Sequence, residues 1–335
     1  MEAKKGKVHM TANDLDVSLT TIMECEVAAE GKIAVPGRKF FEIVRSLPED
    51  MVEIDVEGER ITVKCRKSRF KMAGKPADEF PKLPEQKAIA NFAMETGAIN
   101  DMILKTIYAV STDLTRPALC GVLWDLKKDA FTMVATDGHR LSRVVRAGSF
   151  SDVERKDVIV SPKSLNILRS LLEEKGDVKI TLADNHITFD LKDDVIYSRL
   201  LEGPFPDYTQ VIPKGNKKEL TVNREEFTDA CRRVAILASV ITHQVKLSVG
   251  KDALTISVNT PDVGEAVEEV HCAFNSDPLD IGYNARYLLD ILKTMDTDDV
   301  TFLLDRSDNA GMLLPVGGAE DIKYHCLLMP LRLND

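Results

Sequence analysis

The sequence predicts an α+β fold built from tandem domains of antiparallel sheet. Three observations carry that prediction: five amphipathic helical stripes, many short alternating runs between them, and a repeat whose helical cores start at 38, 163 and 286. A chain of 335 residues has room for two or three domains at roughly 100 to 200 residues each.

Taken in order, Pro36-Gly37 opens the first stripe, formed by Phe40, Ile43, Val44 and Leu47. Thr96 is placed to cap the second, which runs through Ile99, Met102, Ile103, Thr106, Ile107 and Val110. Ser161, with Pro162 at the first helical position, starts the third, marked by Leu165, Leu168 and Leu172. Asn223, followed three residues later by Glu226, has the pattern of a capping box ahead of Phe227, Ala230, Cys231, Val234 and Ala238. Asn284 caps the fifth, with Leu288, Ile291, Leu292 and Met295. Alternating or apolar runs at 52–56, 60–65, 158–160, 178–182, 186–191, 254–258 and 300–304 are strands, turned by segments such as Glu57-Gly58-Glu59 and Ala183-Asp184-Asn185.

The repeat shows in the helices at 38–47, 163–172 and 286–295. Each has a basic first residue, a central apolar pair and a second basic residue, Arg45, Arg169 or Lys293. Matching exits follow the first two, Ala77-Asp-Glu-Phe-Pro81 and Glu202-Gly-Pro-Phe-Pro206. The helices near 97 and 224 precede their partners by a common interval, and the same interval from Arg38 falls ahead of Met1. The expectation is three βαβ-like units, at 1–88, 89–213 and 214–335, the first lacking its opening strand and helix.

Composition excludes several classes. Hydrophobic content of 44% beside 29% charged residues is ordinary for a globular chain, and no apolar run approaches the ~20 residues of a membrane span. No apolar segment follows Met1-Glu-Ala-Lys-Lys-Gly-Lys, so no secretory signal is read and a cytoplasmic location is expected. Cys25, Cys65, Cys120, Cys231, Cys272 and Cys326 are widely spaced with no C-x-x-C pair, which suggests no metal site, no cofactor and no disulfide framework. The net charge is −10, yet three helical segments are positive: three bases against one acid in 37–46, two against none in 161–172, and two against one in 284–294. Such segregation fits helices facing a polyanion through phosphate contacts that carry no sequence information.

One stretch is not explained by apolar periodicity. In Ala135-Thr-Asp-Gly-His-Arg-Leu-Ser142, the Asp137-Gly138 pair predicts a hairpin tip presenting His139 and Arg140. The chain has no G-x-S-x-G, P-loop, H-E-x-x-H or G-x-G-x-x-G. The enzymatic alternative is a hydrolase using Asp137 and His139, but spacing assigns that pair no nucleophile or metal.

These motifs resemble the bacterial DNA polymerase III beta subunit, the sliding clamp family. The resemblance rests on Ala135-Thr-Asp-Gly-His-Arg-Leu141, Phe205-Pro-Asp-Tyr208 with Val211-Ile-Pro213, Val35-Pro-Gly-Arg-Lys-Phe-Phe41 and Met329-Pro-Leu-Arg-Leu333, and it covers the whole chain. It implies three similar domains per chain and a head-to-tail dimeric ring around duplex DNA, with sheets outside and helices lining the hole. It also implies a non-catalytic processivity factor that tethers the replicative polymerase. Arg38, Lys39, Arg45, Lys105, Lys163, Arg169, Arg286 and Lys293 would then face DNA.

A cleft between the second and third domains would receive a short peptide from the polymerase III alpha subunit, the clamp loader or repair proteins. Its implied wall is Leu119, Thr136, Gly138, His139, Arg140 and Leu141, with Pro206 and Val211 across from it. The strand Leu327, Met329, Pro330, Leu331, Arg332 and Leu333 completes it, and Arg116 and Tyr287 lie at its edge. Ring closure would pack Phe70 and Met72 against Ile236 and Leu237, with Lys67 and Arg69 facing Asp262, Glu265 and Glu268. Two departures from the family pattern are Cys120, where asparagine is usual, and Asn334-Asp335 beyond the usual terminal leucine. An alternative consistent with the missing opening elements is a clamp-derived peptide-binding monomer that closes no ring.

Overall fold

The computed structural model describes residues 1–81, 87–148, 155–261, 263–318 and 321–333, and one order of elements recurs along them. The first repeat runs β1 (Glu2–Lys4), β2 (Lys7–Asn13), β3 (Val17–Glu24), β4 (Gly31–Lys32), α1 (Gly37–Ser46), β5 (Glu53–Glu57), β6 (Arg60–Cys65) and β7 (Ser68–Ala73). The second opens on β8 (Ala90–Glu95) and α2 (Thr96–Ile107). It continues through β9 (Val122–Lys127), β10 (Ala130–Thr136), β11 (Arg140–Ala147), β12 (Arg155–Val160), α3 (Pro162–Leu171), β13 (Asp177–Leu182), β14 (His186–Asp190) and β15 (Asp194–Arg199). The third opens on β16 (Lys218–Asn223) and α4 (Arg224–Val234). After them come β17 (Gln244–Val249), β18 (Ala253–Thr260), β19 (Gly264–Phe274), β20 (Leu279–Asn284), α5 (Ala285–Lys293), β21 (Asp299–Leu304), β22 (Gly311–Pro315) and β23 (Ile322–Leu328). Within the described residues the first repeat thus begins at the equivalent of β9.

Every strand pairing among the described residues is antiparallel. This corrects the βαβ-like description of the unit, since a βαβ unit joins parallel strands through its helix. Three strands follow each second helix.

The chain forms two compact units, Met1–Glu95 with Asn166–Arg199, and Thr96–Leu165 with Leu200–Asp335. The central repeat is divided between them because sheets continue across repeat boundaries. In the first unit β15 pairs with β3, giving the eight-stranded order β4-β1-β2-β3-β15-β14-β13-β8 beside the three-stranded β5-β6-β7. Thr21 Oγ1 reinforces that junction by donating to Asp194 Oδ1 at 2.6 Å. In the second unit β11 pairs with β23 from Arg140↔Leu328 to Arg146↔Ile322, within the twelve-stranded order β12-β9-β10-β11-β23-β22-β21-β16-β19-β18-β17-β20.

Apolar faces close on these sheets. In the first unit Ile33, Ile61 and Val63 are buried beneath Phe40, Ile43 and Leu47 of the first helical stripe, with Phe70 and Met72 beside them. In the second, α2 packs on β10 and β11 through buried Ile99, Met102, Ile103 and Thr106. Trp124 meets Phe131 edge-on at 5.0 Å, and Tyr283 stacks on Phe302 at 5.2 Å. Gly311 is required beside that stack, because a Cβ there would collide with the Phe302 ring and the Tyr283 hydroxyl.

Two expected caps are in place: Asn223 Oδ1 accepts from the Glu225 and Glu226 amides at 3.1 Å, and Asn284 Oδ1 from those of Arg286 and Tyr287 at 2.9 and 3.3 Å. Thr96 departs from expectation. It is already helical, and its buried hydroxyl has no hydrogen-bond partner, so it does not cap α2. Among the described residues no helix is long and apolar enough to cross a membrane.

His325 of β23 lies opposite Arg143 of β11, and burial, with Arg143 adding to it, pushes its pKa down to about 4. The unfolded chain takes up this proton near pH 6.5, the folded chain only near pH 4, so stability falls as the pH drops between those values and is intact above them. Urea titrations should therefore show a lower midpoint near pH 4.5 than at pH 7. Replacing His325 with Gln should remove about 2 to 3 kcal/mol of that difference.

Candidate functional site

The site begins with the turn between β10 and β11. Asp137 Oδ1 accepts from the His139 and Arg140 amides at 2.9 and 3.0 Å, and Thr136 Oγ1 accepts from the Gly138 amide at 3.1 Å while donating to the Arg140 carbonyl at 2.7 Å. Gly138 sits at φ +91°, a conformation L side chains rarely adopt, so glycine is needed where the chain reverses.

The turn does not present both its side chains to solvent, as a hairpin tip was expected to. His139 is exposed and stacks on Tyr287 at 6.3 Å, whereas Arg140 points inward and is only 9% exposed. Its guanidinium donates to Asp137 Oδ2 at 3.1 Å, to Asp290 Oδ2 of α5 at 2.6 Å and to the Tyr108 carbonyl after α2 at 2.7 Å. The rings of Tyr287 and Tyr108 lie 4.4 and 5.2 Å from its central carbon. Three acceptors and two ring faces satisfy a charge that would otherwise be costly to bury. Asp137 therefore spends both oxygens on the backbone and on Arg140, and neither is engaged by the His139 ring, which removes the geometry of the hydrolase alternative.

Lys105 makes a second clip between the same elements and corrects an expectation. It was placed among the DNA-facing cations, but it is 8% exposed and bound by Asp101 at 2.7 Å and Asp296 at 2.8 Å. Burial opposes its charge, but the two carboxylates outweigh that and hold its pKa above the usual lysine value. Between the clips, Tyr108 Oη meets Cys326 Sγ at 3.1 Å, and Ser142 Oγ donates to the Lys105 carbonyl. Burial pushes the Cys326 thiol up, so it stays protonated and packs as a small hydrophobe.

Beside the turn the outer face of the sheet is apolar. Leu141 and Leu327 form a buried floor with Leu123, Val134 and Ile159, while Ala118, Leu201, Phe205, Tyr208, Ile212 and Met312 pack partly exposed around it. Leu119 is buried, whereas Pro206, Val211 and Met329 are open to solvent. The terminal segment is held by its backbone: the Met329 amide donates to the His139 carbonyl at 2.9 Å, the Leu331 amide to the Gly282 carbonyl at 2.8 Å, and Gln244 Nε2 to the Arg332 carbonyl at 3.0 Å. This fixes Pro330, Leu331 and Leu333 half-buried and leaves Arg332 exposed. Arg116, exposed, reaches the Asp137 carbonyl at 3.4 Å while paired with Asp113 at 3.0 Å. Cys120 donates to the Asp113 carbonyl at 3.3 Å.

The other expected surfaces are distributed as follows. Arg38, Lys39, Arg45, Lys163, Arg286 and Lys293 are exposed and Arg169 is half-buried; Glu42 pairs with both Arg38 and Lys39. Phe70 and Met72 are half-buried against their own sheet, while Lys67, Arg69 and Glu265 are exposed. Ile236 is 76% exposed, Leu237 is half-buried, and Val263 and Val267 are exposed. Glu268 differs from expectation: it is already held by Arg233 of its own chain at 2.5 and 2.6 Å, and that contact holds its pKa below the usual carboxylate value. Asp262 lies outside the described residues.

Sequence reasoning missed Tyr108, 32 positions away in the same repeat, and Asp290, from the following repeat, which hold Arg140 and leave no local signal. It treated Asp137 as an acid, although Asp-Gly at a turn signals backbone capping. Among the described residues no group of three or more His, Cys, Asp or Glu side chains could hold a metal ion.

An apolar floor with preformed walls, edged by polar groups that are already immobilised, has the make-up of surfaces that dock a segment of another protein. The fold around it is a tandem repeat whose sheets run from one unit of sequence into the next. Family models for the N-terminal, central and C-terminal domains of the DNA polymerase III beta subunit match residues 1–84, 93–207 and 209–332. The beta sliding clamp of Pseudomonas aeruginosa is 35% identical over 330 residues, 98% of this chain and 89% of the relative; that of Bacillus subtilis is 32% identical over 311 residues, 89% of this chain and 82% of the relative. A crystal structure of the Pseudomonas aeruginosa clamp superposes with a TM-score of 0.93 at 32% identity, over 99% of this chain and 91% of that one. The Bartonella birtlesii clamp bound to griselimycin superposes at 0.94 and 31% identity, over 99% and 90%. The chain belongs to the DNA polymerase III beta subunit family, the sliding clamps, which are non-catalytic processivity factors.

Replacing Arg140 with Met leaves Asp137 and Asp290 facing each other's field without their shared cation. Thermal or urea unfolding should register a loss of about 3 kcal/mol, the cost of breaking a largely buried pair.

Proposed function

We propose that two copies of this clamp close head to tail into a ring on duplex DNA, and that the surface around Leu141 and Leu327 receives the docking peptides of replication and repair proteins. The observation that carries the ring is the pattern of sheet edges. The third strand after the opening helix position is β3, β11 or β19 in successive repeats, and the last strand is β7, β15 or β23. β3 takes β15 and β11 takes β23, so the same rule leaves β19 and β7 to be matched between copies.

Both edges are available. β7 ends the three-stranded sheet, and β19 pairs with β16 only through Cys272 to Phe274, leaving its first half open on one side. An unpaired edge invites strand addition, and Ile236, Leu237 and Val267 supply apolar surface for a partner's β7 with Phe70 and Met72. Lys67 and Arg69 would meet Glu265 and Asp262 at the rim. The domains implied are 1–88, 89–213 and 214–335. Arg38, Lys39, Arg45, Lys163, Arg169, Arg286 and Lys293 provide the phosphate-facing charge, and the protein acts in the cytoplasm, where the replicating DNA lies.

In the docking cleft, Pro206, Val211 and Met329 offer exposed apolar contacts and His139 a polar one, while backbone bonds keep the walls formed before a peptide arrives. Pre-ordering of this kind reduces the entropy lost on binding.

Sedimentation should find a dimer, and Ile236→Asp should weaken it by at least about tenfold, as burying an unpaired carboxylate requires. Loaded protein should stay on circular duplex DNA and be lost when the circle is cut; equal loss from both would overturn the topological reading. Replacing His139 with Ala should weaken binding of a docking peptide in fluorescence anisotropy while leaving sedimentation unchanged.

A further inference from the structure

The outer face of the β11–β23 pair continues past the apolar floor. Strand alternation puts Leu141, Arg143 and Val145 on one face, and the register sets Leu327, His325 and Lys323 directly opposite them. One step beyond the Leu141–Leu327 floor, therefore, Arg143 and His325 form a cross-strand pair.

That pair is unusual in its lack of acid. β11 carries three arginines: Arg140 is met by Asp137 and Asp290, and Arg146 by Asp321 at 3.5 Å, whereas Arg143 makes no ion pair among the described residues. Its Nε is buried without an acceptor, and so is Nε2 of His325. Both residues are half-buried, so each keeps some access to solvent. The Tyr208 ring lies 5.9 Å from the Arg143 guanidinium carbon, and the same tyrosine packs on the apolar floor. Folded proteins leave few buried donors unpaired, and an arginine fork is shaped to take a carboxylate.

We propose that Arg143, with His325 beside it and Tyr208 over it, is a carboxylate subsite that selects docking peptides bearing an acidic side chain next to their apolar anchors. The inference rests on the reading of the neighbouring floor as a peptide cleft, and it adds a charge rule to that reading. A carboxylate placed here would pair with the part of the Arg143 guanidinium that solvent still reaches and supply the counter-charge the pair lacks. Lys323, exposed one step further along the same face, favours the same sign of ligand. Shared packing of Tyr208 with the apolar floor and the arginine makes one continuous track, which suits a peptide better than a nucleic-acid phosphate.

The test uses the full chain and short fluorescein-labelled peptides selected on it from a random display library, each resynthesised with Asp, Asn or Lys at every position flanking its apolar anchors. At one flanking position Asp should bind about five- to tenfold more tightly than Asn, the scale of a charge-assisted hydrogen bond, and Lys more weakly than either. Arg143→Met, which keeps the length of the side chain, should abolish the preference while holding the Asn peptide within about twofold; Arg143→Lys should retain part of it. Equal affinity for Asp and Asn at every position, or a preference that survives Arg143→Met, overturns the proposal. So does a single-stranded oligonucleotide whose binding needs Arg143 when no Asp preference exists, since the pair would then serve phosphate. If no apolar peptide is recovered, the cleft reading itself fails and the subsite falls with it.

Discussion

Strand pairing across the repeat boundary is the interaction on which the structure depends. The β3–β15 and β11–β23 ladders join segments more than 170 positions apart in sequence, as Thr21 and Asp194 show, and they make each sheet larger than the repeat that encodes it. A repeat with one open edge on either side is unfinished by itself. Each added repeat satisfies one edge and exposes another, so a linear chain always keeps two. Closing on a second copy would satisfy both without a capping element, and the proposed head-to-tail ring is that arrangement.

The β11–β23 ladder also explains why the proposed docking surface lies where it does. Pairing brings Leu141 and Leu327 side by side to form the apolar floor, and it places the turn before β11 next to α5 of the following repeat. Arg140 then ties that turn to Asp290, and Lys105 ties α2 to Asp296. Both cations connect two repeats, and both sit where water is largely excluded. Such contacts add less net stability than their short distances suggest, because desolvation offsets most of the attraction. Their effect is to fix one relative placement of turn and helix, which a preformed cleft requires.

Much of this was legible in the sequence, and what was not has a common cause. Helical stripes, the caps at Asn223 and Asn284 and the repeat could be read because each is a local pattern, repeated at a spacing the backbone sets. The motif from Ala135 to Leu141 could be recognised, but the burial of Arg140 could not, since its partners Tyr108 and Asp290 come from distant segments. Lys105 misled for the same reason: on its helix it is paired with Asp101 four residues away, and only Asp296 completes its neutralisation. Thr96 misled more simply, because a threonine at a helix start resembles a cap until its hydroxyl is seen to be buried and unpaired.

The pairing of Glu268 with Arg233 changes how ring closure should be understood. An interface in which free acids met free bases would gain from attraction at long range and pay on contact for stripping water from both. Here one of the expected acids already has a two-pronged partner in its own chain, so its charge is largely spent before any second copy arrives. In the proposed ring, closure would rest on the open edge of β19, the exposed apolar side chains of Ile236 and Val267, and a thinner charged rim. Backbone ladders and a small apolar centre come apart strand by strand, without stranding a buried charge at any step. An interface of that composition would suit a ring that must both hold on DNA and be opened for loading.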